Sequence, residues 1–283
     1  MDRSENIAVF EDTRRHYETE PRLREAVARS REGSELVREK DALACHAGEA
    51  RYDVPARVTV SKKRSFEAAA GYSGKRVCVM NFASASNPGG GVTRGATAQE
   101  ECLCRCSTLY PCLDNTPMWD GFYKPHRRSG DPLHNDDCIY TPDVVVFKSD
   151  TAAPKLLPEE ERYRVDVLTC AAPNLRERPS NPMNPRDGRG AVKISEAKLR
   201  ALHEKRIRRV LDLACDRGAE VLILGAFGCG AFQNPPETVA AAARDALRDY
   251  KQCFKAVEFA VYCPPGREEN YRAFEAALVD GGK

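Results

Sequence analysis

The chain has 283 residues, 42% of them hydrophobic and 30% charged, which fits a globular protein and excludes a disordered one. Its net charge of +2 gives no general attraction for nucleic acid, so we expect no sequence-specific nucleic-acid partner. The charged segment 1–18 lacks the apolar part of a secretory signal, and no apolar run is long enough to cross a membrane. We therefore expect an intracellular protein, cytoplasmic or nuclear, without membrane association.

The twelve cysteines are scattered between Cys45 and Cys263 and include no Cys-X-X-Cys pair. The densest set is Cys102, Cys104 and Cys106, but in a helix Cys104 would point away from the face that the other two share. A zinc ion is one alternative, although no second cluster completes a site. We favour reduced cysteines that serve as small apolar residues, and we expect neither a metal nor a cofactor.

The first part of the chain is rich in Arg, Glu and Ala. Its apolar residues recur at helical spacing: Leu23, Ala26, Val27, Leu36 and Val37. The pattern predicts one to three helices between residues 6 and 43, with a break near Gly33. We interpret residues 1–55 as a helical extension that packs on a core domain formed by residues 56–283.

Beyond residue 55, apolar runs alternate with amphipathic segments. Strands are predicted within 56–63, 76–83, 142–150, 163–173, 220–232 and 256–263. Helices are predicted at 65–72 (capped by Ser65), 97–110, 194–218, 235–251 and 267–280. This alternation argues for a mostly parallel sheet covered on both faces, in which ligands bind at the carboxyl ends of the strands. Two stretches rich in proline and asparagine, 115–142 and 173–192, are predicted to be long structured loops.

Two glycine-rich segments follow predicted strands. Gly225, Gly228 and Gly230 lie between a strand and a helix, where exposed backbone N–H groups can hold an anion such as a diphosphate. The spacing matches neither the dinucleotide fingerprint nor the P-loop, so a tight turn is an equally open alternative.

The other glycine segment, NPGGGVTRGATAQEE, runs from Asn87 to Glu101. Thr97 and Glu100 have the spacing of a capping box, which predicts a helix that starts at Thr97 and a capping role for Glu100. Glu101 has no such structural role. Adjacent helical residues point about 100° apart, so we expect the two carboxylates to face different partners.

These motifs resemble those of a known family. The stretch VMNFASASNPGGGVTRGATAQEECLCRCSTLY is similar to the signature of bacterial-type poly(ADP-ribose) glycohydrolases, and GAFGCGAFQNPPE resembles the diphosphate-binding loop of the same family. The resemblance covers roughly residues 58–278. It implies an α/β, macrodomain-like fold of three α/β/α layers with a mixed, mostly parallel sheet, plus N-terminal accessory helices. Those helices cannot be matched residue by residue, and the three clustered cysteines are not a family feature.

The resemblance implies hydrolysis of ribose–ribose O-glycosidic bonds in poly(ADP-ribose), with release of ADP-ribose. Glu101 would be the acid/base, Glu100 would hold ribose hydroxyls, and Gln99 would orient the loop. No second carboxylate is available on the other face of the sugar, so the substrate's diphosphate would stabilise the oxocarbenium ion. Cleavage would be of the exo type if the N-terminal helices close one end of the polymer site.

The resemblance also implies a set of binding residues. The distal ribose would contact Asn87, Gly89, Gly90, Gly91 and Phe227. The diphosphate would take backbone N–H groups from Gly228, Cys229, Gly230, Ala231 and Phe232. Adenine would stack on Tyr262. Purely structural alternatives are an Asn-Pro turn for Asn87, a core aromatic for Phe227 and a sheet edge for Tyr262; Asn81 is a weaker candidate.

The implied partners are poly(ADP-ribose), ADP-ribose and ADP-ribosylated proteins, in the reversal of ADP-ribosylation that includes the DNA damage response, and we expect a monomer. One alternative is a non-catalytic ADP-ribose reader on the same fold, but a reader needs no carboxylate pair. Another is a mono-ADP-ribosyl hydrolase, which the shape of the loops 115–142 and 173–192 would decide.

Overall fold

The computed structural model describes residues 1–279, and its centre is a seven-stranded mixed sheet. The strands are β1 (Glu35–Val37), β2 (Arg57–Ser61), β3 (Val77–Ala83), β4 (Cys138–Val146), β5 (Tyr163–Ala171), β6 (Val221–Leu224) and β7 (Ala256–Ala260). Their order is β1-β4-β5-β3-β6-β7-β2. The strands from β5 to β2 are parallel, whereas β4 runs antiparallel to both β1 and β5. The predicted α/β, mostly parallel sheet is confirmed.

Helices cover both faces of this sheet. They are α1 (Arg3–Thr19), α2 (Pro21–Glu32), α3 (Ser65–Ala70), α4 (Gln99–Cys106), α5 (Leu109–Leu113), α6 (Thr116–Met118), α7 (Lys124–Ser129), α8 (Glu196–Asp216), α9 (Pro236–Leu247) and α10 (Glu269–Leu278). One apolar core packs α8, α9 and α10 against the sheet, and a second packs α3, α4 and α5 against its other face. The result is the three-layer α/β/α arrangement of a macrodomain-like fold. The last residue of the predicted helix 267–280 lies outside the described residues.

The N-terminal segment supplies more than helices. The break near Gly33 is present, but Leu36 and Val37, which we expected in a helix, form β1 and pair antiparallel with β4. A strand forms because the edge of β4 offers unpaired backbone groups, and three residues suffice to use them. Helices α1 and α2 pack through Tyr17 and Leu23 on Phe147, just beyond β4.

The stretch 115–142 is not the loop that its composition suggested. It holds α6, a π-helical turn at Trp119–Tyr123, α7 and the first half of β4. Prolines at the first turns of α6 and α7 are compatible with helix, since those N–H groups have no intrahelical partner. The stretch 173–192 has no regular secondary structure, as expected.

Two predicted helix caps are wrong. Helix α4 begins at Gln99 with Ala98 as its N-cap and no capping side chain, because Glu100 points into the protein instead of back to Thr97. The helix ends at Cys106 because Ser107 is fully extended, so the segment 97–110 is not one helix. At α3 the N-cap is Arg64, and the Ser65 hydroxyl accepts a hydrogen bond from Gln99.

None of the helices described within residues 1–279 is both long and apolar enough to cross a membrane. In the same part of the chain, no group of three or more His, Cys, Asp or Glu side chains is arranged to hold a metal ion. Cys104 and Cys106 are buried, and Cys102 lies beside the guanidinium groups of Arg64 and Arg105.

Candidate active site

A cavity of about 620 Å³ opens where β3 and β6 end, and both glycine segments contribute to its wall. Glu100, Glu101 and Gly90 line it from the first segment. The second segment contributes Gly228, Gly230, Ala231 and Phe232. The position agrees with the general rule that parallel α/β sheets bind ligands at the carboxyl ends of their strands.

Glu101 has one fixed and one free carboxylate oxygen. Its Oε1 accepts a 2.8 Å hydrogen bond from the Gly91 N–H, while its Oε2 is buried and has no partner among residues 1–279. Only 6% of the residue is exposed. Burial raises the pKa of Glu101, and the Gly91 N–H opposes that rise only in part. Glu101 lines the cavity, and a carboxyl group with a raised pKa and one oxygen free of hydrogen bonds can donate and accept a proton.

Glu100 lines the same cavity but is fully engaged. Its Oε2 accepts a 2.7 Å hydrogen bond from the Ser84 N–H, and its Oε1 accepts one from the Asn81 side chain at 3.3 Å. Burial raises the pKa of Glu100 well above its usual range, and the nearby Glu101 adds to the rise. The expectation that the two carboxylates face different partners holds for their hydrogen bonds, but both flank the same cavity. The free oxygen, rather than the pKa, distinguishes Glu101.

Gln99 ties the start of α4 to the end of β3. Its Oε1 accepts from the Phe82 N–H at 2.9 Å, and its Nε2 donates to the Met80 carbonyl at 2.8 Å. A third contact reaches the Ser65 hydroxyl. Gln99 thereby fixes the helix that carries both glutamates, which agrees with an orienting role.

The three glycines allow close packing of the chain more than they allow a ligand to approach it. Only Gly90 lines the cavity. A Cβ at Gly89 would lie 2.7 Å from the Tyr110 ring, and one at Gly91 would lie 2.8 Å from the Ala96 Cβ. Of the three, Gly90 alone lines the cavity, so the predicted contacts of Gly89 and Gly91 with the distal ribose stay a prediction without support from the cavity lining.

Asn87 does not face the cavity either, contrary to expectation. Its Nδ2 donates to Asn184 Oδ1 at 2.8 Å and to the Pro185 carbonyl at 2.9 Å, and its Oδ1 accepts from Arg127 at 2.7 Å. With both polar atoms in use, Asn87 joins the glycine segment to the loop 173–192 and to α7. The polar atoms that suggested a ribose contact already form hydrogen bonds within the protein.

The loop 173–192 forms part of the cavity wall, and its lining residues were not predicted from the sequence. Asn184 and Met183 line the cavity. Asn184 Oδ1 also accepts from the Ser84 hydroxyl at 2.6 Å, and the Met183 carbonyl accepts from Arg94. The loop therefore lies directly against the glycine segment that carries Glu101.

The second glycine segment offers free backbone donors. Among the described residues, the N–H groups of Gly230, Ala231 and Phe232 make no hydrogen bond, so they can bind an anion. The N–H of Cys229 donates to the Ala226 carbonyl at 3.1 Å, which corrects its predicted role as a donor. Burial also raises the pKa of the Cys229 thiol, so that group stays neutral.

Phe227 belongs to the core rather than to the cavity. It is 1% exposed and packs against Phe82 and His203, with ring centroids 5.7 and 5.8 Å away. Phe227 is not among the residues that line the cavity, so the structure favours the core-aromatic alternative over the predicted contact with ribose. The aromatic residue of this segment that lines the cavity is Phe232.

Two cations in the cavity wall were also missed. Arg176 donates from Nε to the Ala231 carbonyl, which holds its positive charge beside the free N–H groups. Arg64 lies 4.1 Å above the centroid of the Tyr262 ring, which also lines the cavity and is 45% exposed. Neither arginine belongs to a glycine motif, so spacing gave no signal for either one.

Fold and cavity together define a macrodomain-like protein whose cavity is lined by a buried acid pair and by a glycine loop with free backbone N–H groups. A family model, the microbial-type PARG catalytic domain, matches residues 6–149 and thus includes the N-terminal helices. The chain belongs to this family of glycohydrolases, which act on poly(ADP-ribose). The resemblance inferred from the two motifs is confirmed. Among curated proteins, none matches the chain.

Solved structures agree with the assignment. A poly(ADP-ribose) glycohydrolase from Thermomonospora curvata is 33% identical, with coverage of 98% of this chain and 100% of its own and a TM-score of 0.83. The same enzyme bound to the inhibitor ADP-HPD gives a TM-score of 0.81 at the same identity and coverage. The Deinococcus radiodurans enzyme in complex with ADP-ribose is 30% identical, with coverage of 90% of this chain and 97% of its own and a TM-score of 0.73.

Proposed function

We propose that this protein hydrolyses the ribose–ribose O-glycosidic bonds of poly(ADP-ribose), with Glu101 as the single acid/base. The observation that carries the assignment is the Glu101 carboxyl group, which lines the cavity: its Oε1 is held by Gly91, and its Oε2 has no partner within residues 1–279. Ser84 and Asn81 fix the position of the Glu100 carboxylate, and each of its oxygens has a further lone pair that can accept a hydrogen bond from a ribose hydroxyl.

The reaction needs two proton transfers. Protonated Glu101 gives its proton to the leaving 2′-oxygen of the neighbouring ribose as the C1″–O bond breaks and an oxocarbenium ion forms. The carboxylate left on Glu101 then takes a proton from a water molecule as the water oxygen bonds to C1″. ADP-ribose and a shortened polymer leave, and Glu101 ends in its starting, protonated state.

The charge of the cation is balanced by the substrate. The free N–H groups of Gly230, Ala231 and Phe232, together with Arg176, would hold the diphosphate of the unit being released. A bound diphosphate close to the sugar stabilises the oxocarbenium ion electrostatically and disfavours ionisation of Glu101. Substrate binding thereby helps to keep the acid protonated.

Adenine would stack on the face of Tyr262 that Arg64 leaves free. A Tyr262→Ala variant would then bind ADP-ribose about tenfold more weakly, since one base–aromatic stack contributes about 1–3 kcal/mol. Unchanged affinity in calorimetry would remove this assignment.

Chain-end cleavage is the mode we favour. The first turn of α1 lies against the turn that follows the glycines, where Arg3 donates to the Arg94 carbonyl at 2.7 Å. A helix fixed there restricts the space around that side of the site. An exo enzyme releases ADP-ribose as its only small product at early times, whereas early oligomers would indicate internal cleavage.

The central test compares the wild type with Glu101→Gln on poly(ADP-ribose) and on a mono-ADP-ribosylated protein. Gln keeps the shape and the hydrogen bond from Gly91 but cannot donate the proton, so we expect kcat to fall by about 10²–10⁴. ADP-ribose affinity serves as the control for folding of the site and should change little. Near wild-type turnover by Glu101→Gln would refute the acid/base assignment. Turnover of the mono-ADP-ribosylated protein alone would replace the proposed substrate.

A further inference from the structure

Three arginines stand beside the catalytic glycine segment without a carboxylate partner. Arg94, Arg127 and Arg186 form no ion pair within residues 1–279. Arg206, by contrast, lies 2.8 Å from the carboxylate of Asp136. Unpaired guanidinium groups that lie close together repel one another, so their grouping calls for an anion from outside the chain.

Two of the three guanidinium groups, those of Arg94 and Arg127, are held by contacts with the chain, outside the set of residues that line the cavity. Arg94 donates to the Met183 carbonyl and, at 3.5 Å, to the Gly90 carbonyl, while its buried Nε has no partner in the described part of the chain. Arg127 donates to the Ser86 carbonyl at 2.6 Å and lies 4.6 Å above the Trp119 ring. These carbonyls fix the two guanidinium groups in place without neutralising them.

Arg186 completes the group from the loop 173–192. It is exposed, has a φ of +66°, and its side chain makes no hydrogen bond among the described residues. Asp187, the next residue, forms no ion pair with it among the described residues, and its carboxylate accepts from Ser86 at 3.0 Å and from Asn174 at 2.7 Å instead. Burial lowers the pKa of Arg127, and the positive charges of Arg186 and Arg94 lower it further, so the three charges are close enough to interact.

The position of this group relative to the acid is defined by Gly90. The Gly90 carbonyl accepts from Arg94, and Gly90 itself packs against the Glu101 carboxylate. Arg94 therefore lies against the segment that bears the proposed acid, and Arg127 contacts the start of the same segment through the Ser86 carbonyl and Asn87. A second anion site next to Glu101 is the place where the other half of the cleaved bond would be bound.

We propose that Arg94, Arg127 and Arg186 bind the diphosphate of the ADP-ribose unit on the leaving side of the scissile bond. This inference rests on the proposed function. The leaving 2′-oxygen belongs to the adenosine ribose of the neighbouring unit, and the diphosphate of that unit is attached to the same sugar. Arginine suits this ligand because its planar group donates two parallel hydrogen bonds to phosphate oxygens.

The test uses Arg186, since its side chain supports no other contact, and two substrates. One is poly(ADP-ribose). The other is an ADP-ribose glycoside whose anomeric oxygen carries an uncharged alkyl group in place of the neighbouring ADP-ribose unit. Arg186→Glu should lower kcat/KM on the polymer about tenfold at low salt, with a smaller loss at high salt. Arg186→Gln should show about half of that loss on a logarithmic scale. Both variants should lose much less on the alkyl glycoside.

Arg24→Glu is the matched control, because Arg24 is an exposed arginine of α2 with no ion pair among the described residues, and the charge change is the same. Equal losses of Arg186→Glu on both substrates, or no loss on the polymer, would overturn the subsite. A loss of the same size in Arg24→Glu would show only an effect of net charge and would overturn it as well. A wild type that cleaves neither substrate would refute the proposed function itself, and the subsite with it.

Discussion

Replacing Gly90 by alanine should disable the site while the fold survives. Gly90 has a φ of +59°, and a Cβ added there would lie 2.4 Å from Glu101 Oε1 and 3.1 Å from Glu100 Oε2. Real Cβ atoms do not approach an oxygen to 2.4 Å, so the Glu101 carboxylate has to move. Its hydrogen bond from the Gly91 N–H is then lost or lengthened.

The size of the effect has two parts. An alanine in the left-handed region costs about 1–2 kcal/mol of stability. Displacement of the proton donor by about 1 Å lowers the rate by roughly 10²-fold. The chain offers a control that separates them, since Gly74 has a φ of +74° and nothing within 4 Å of an added Cβ.

Both variants should show a similar loss of stability in thermal unfolding, with a further loss in Gly90→Ala from the clash. Only Gly90→Ala should lose kcat on poly(ADP-ribose), by about 10²-fold relative to Gly74→Ala. If Gly90→Ala kept kcat within about threefold of Gly74→Ala, the carboxylate position would not depend on Gly90, and the geometric argument for Glu101 would fail.

Glu101→Gln should gain about 1 kcal/mol in unfolding free energy at neutral pH, since a buried group with a raised pKa is protonated more readily in the folded chain than in the unfolded one. The gain should be absent below the usual pKa of 4.5 and grow as the pH rises above it. Chemical denaturation at several pH values measures it, and a gain that shrank with rising pH would contradict the reasoning. Arg176→Met should weaken ADP-ribose binding about tenfold in a salt-dependent way. Arg178 is an exposed arginine of the same loop, and Arg178→Met should leave binding unchanged. Equal affinities of the two variants in calorimetry would exclude Arg176 from the diphosphate site.

Regular periodicity allowed most of the fold to be predicted. The parallel strands and the long helices α8 and α9 follow from continuous apolar runs and helical spacing, which local sequence encodes directly. β1 was missed because three residues carry no period, and their conformation depends on the edge of β4. The helices within 115–137 were missed because proline and glycine lower helix propensity, whereas here proline stands at first turns.

The candidate site was predictable where a motif requires a side chain or a backbone shape. Glu101 and the free N–H groups of the second glycine segment follow from such motifs. Asn87 and Phe227 were expected at the ribose from the family resemblance, but both side chains make contacts within the protein that only the tertiary structure supplies. Arg176 comes from a loop distant in sequence, and no local pattern marks it.

The start of α4 combines two opposing electrostatic effects. A helix N-terminus stabilises an ionised carboxylate, yet burial raises the pKa of both Glu100 and Glu101, so desolvation outweighs the helix dipole here. A bound diphosphate adds negative charge to the cavity and should raise the pKa of Glu101 further. By linkage, the protein takes up protons when it binds ADP-ribose. The affinity for ADP-ribose therefore falls as the pH rises through the range in which Glu101 ionises. Calorimetry in two buffers of different ionisation enthalpy measures this proton uptake directly. The uptake should be present in the wild type and reduced in Glu101→Gln. Equal uptake in both proteins would assign the proton to another group.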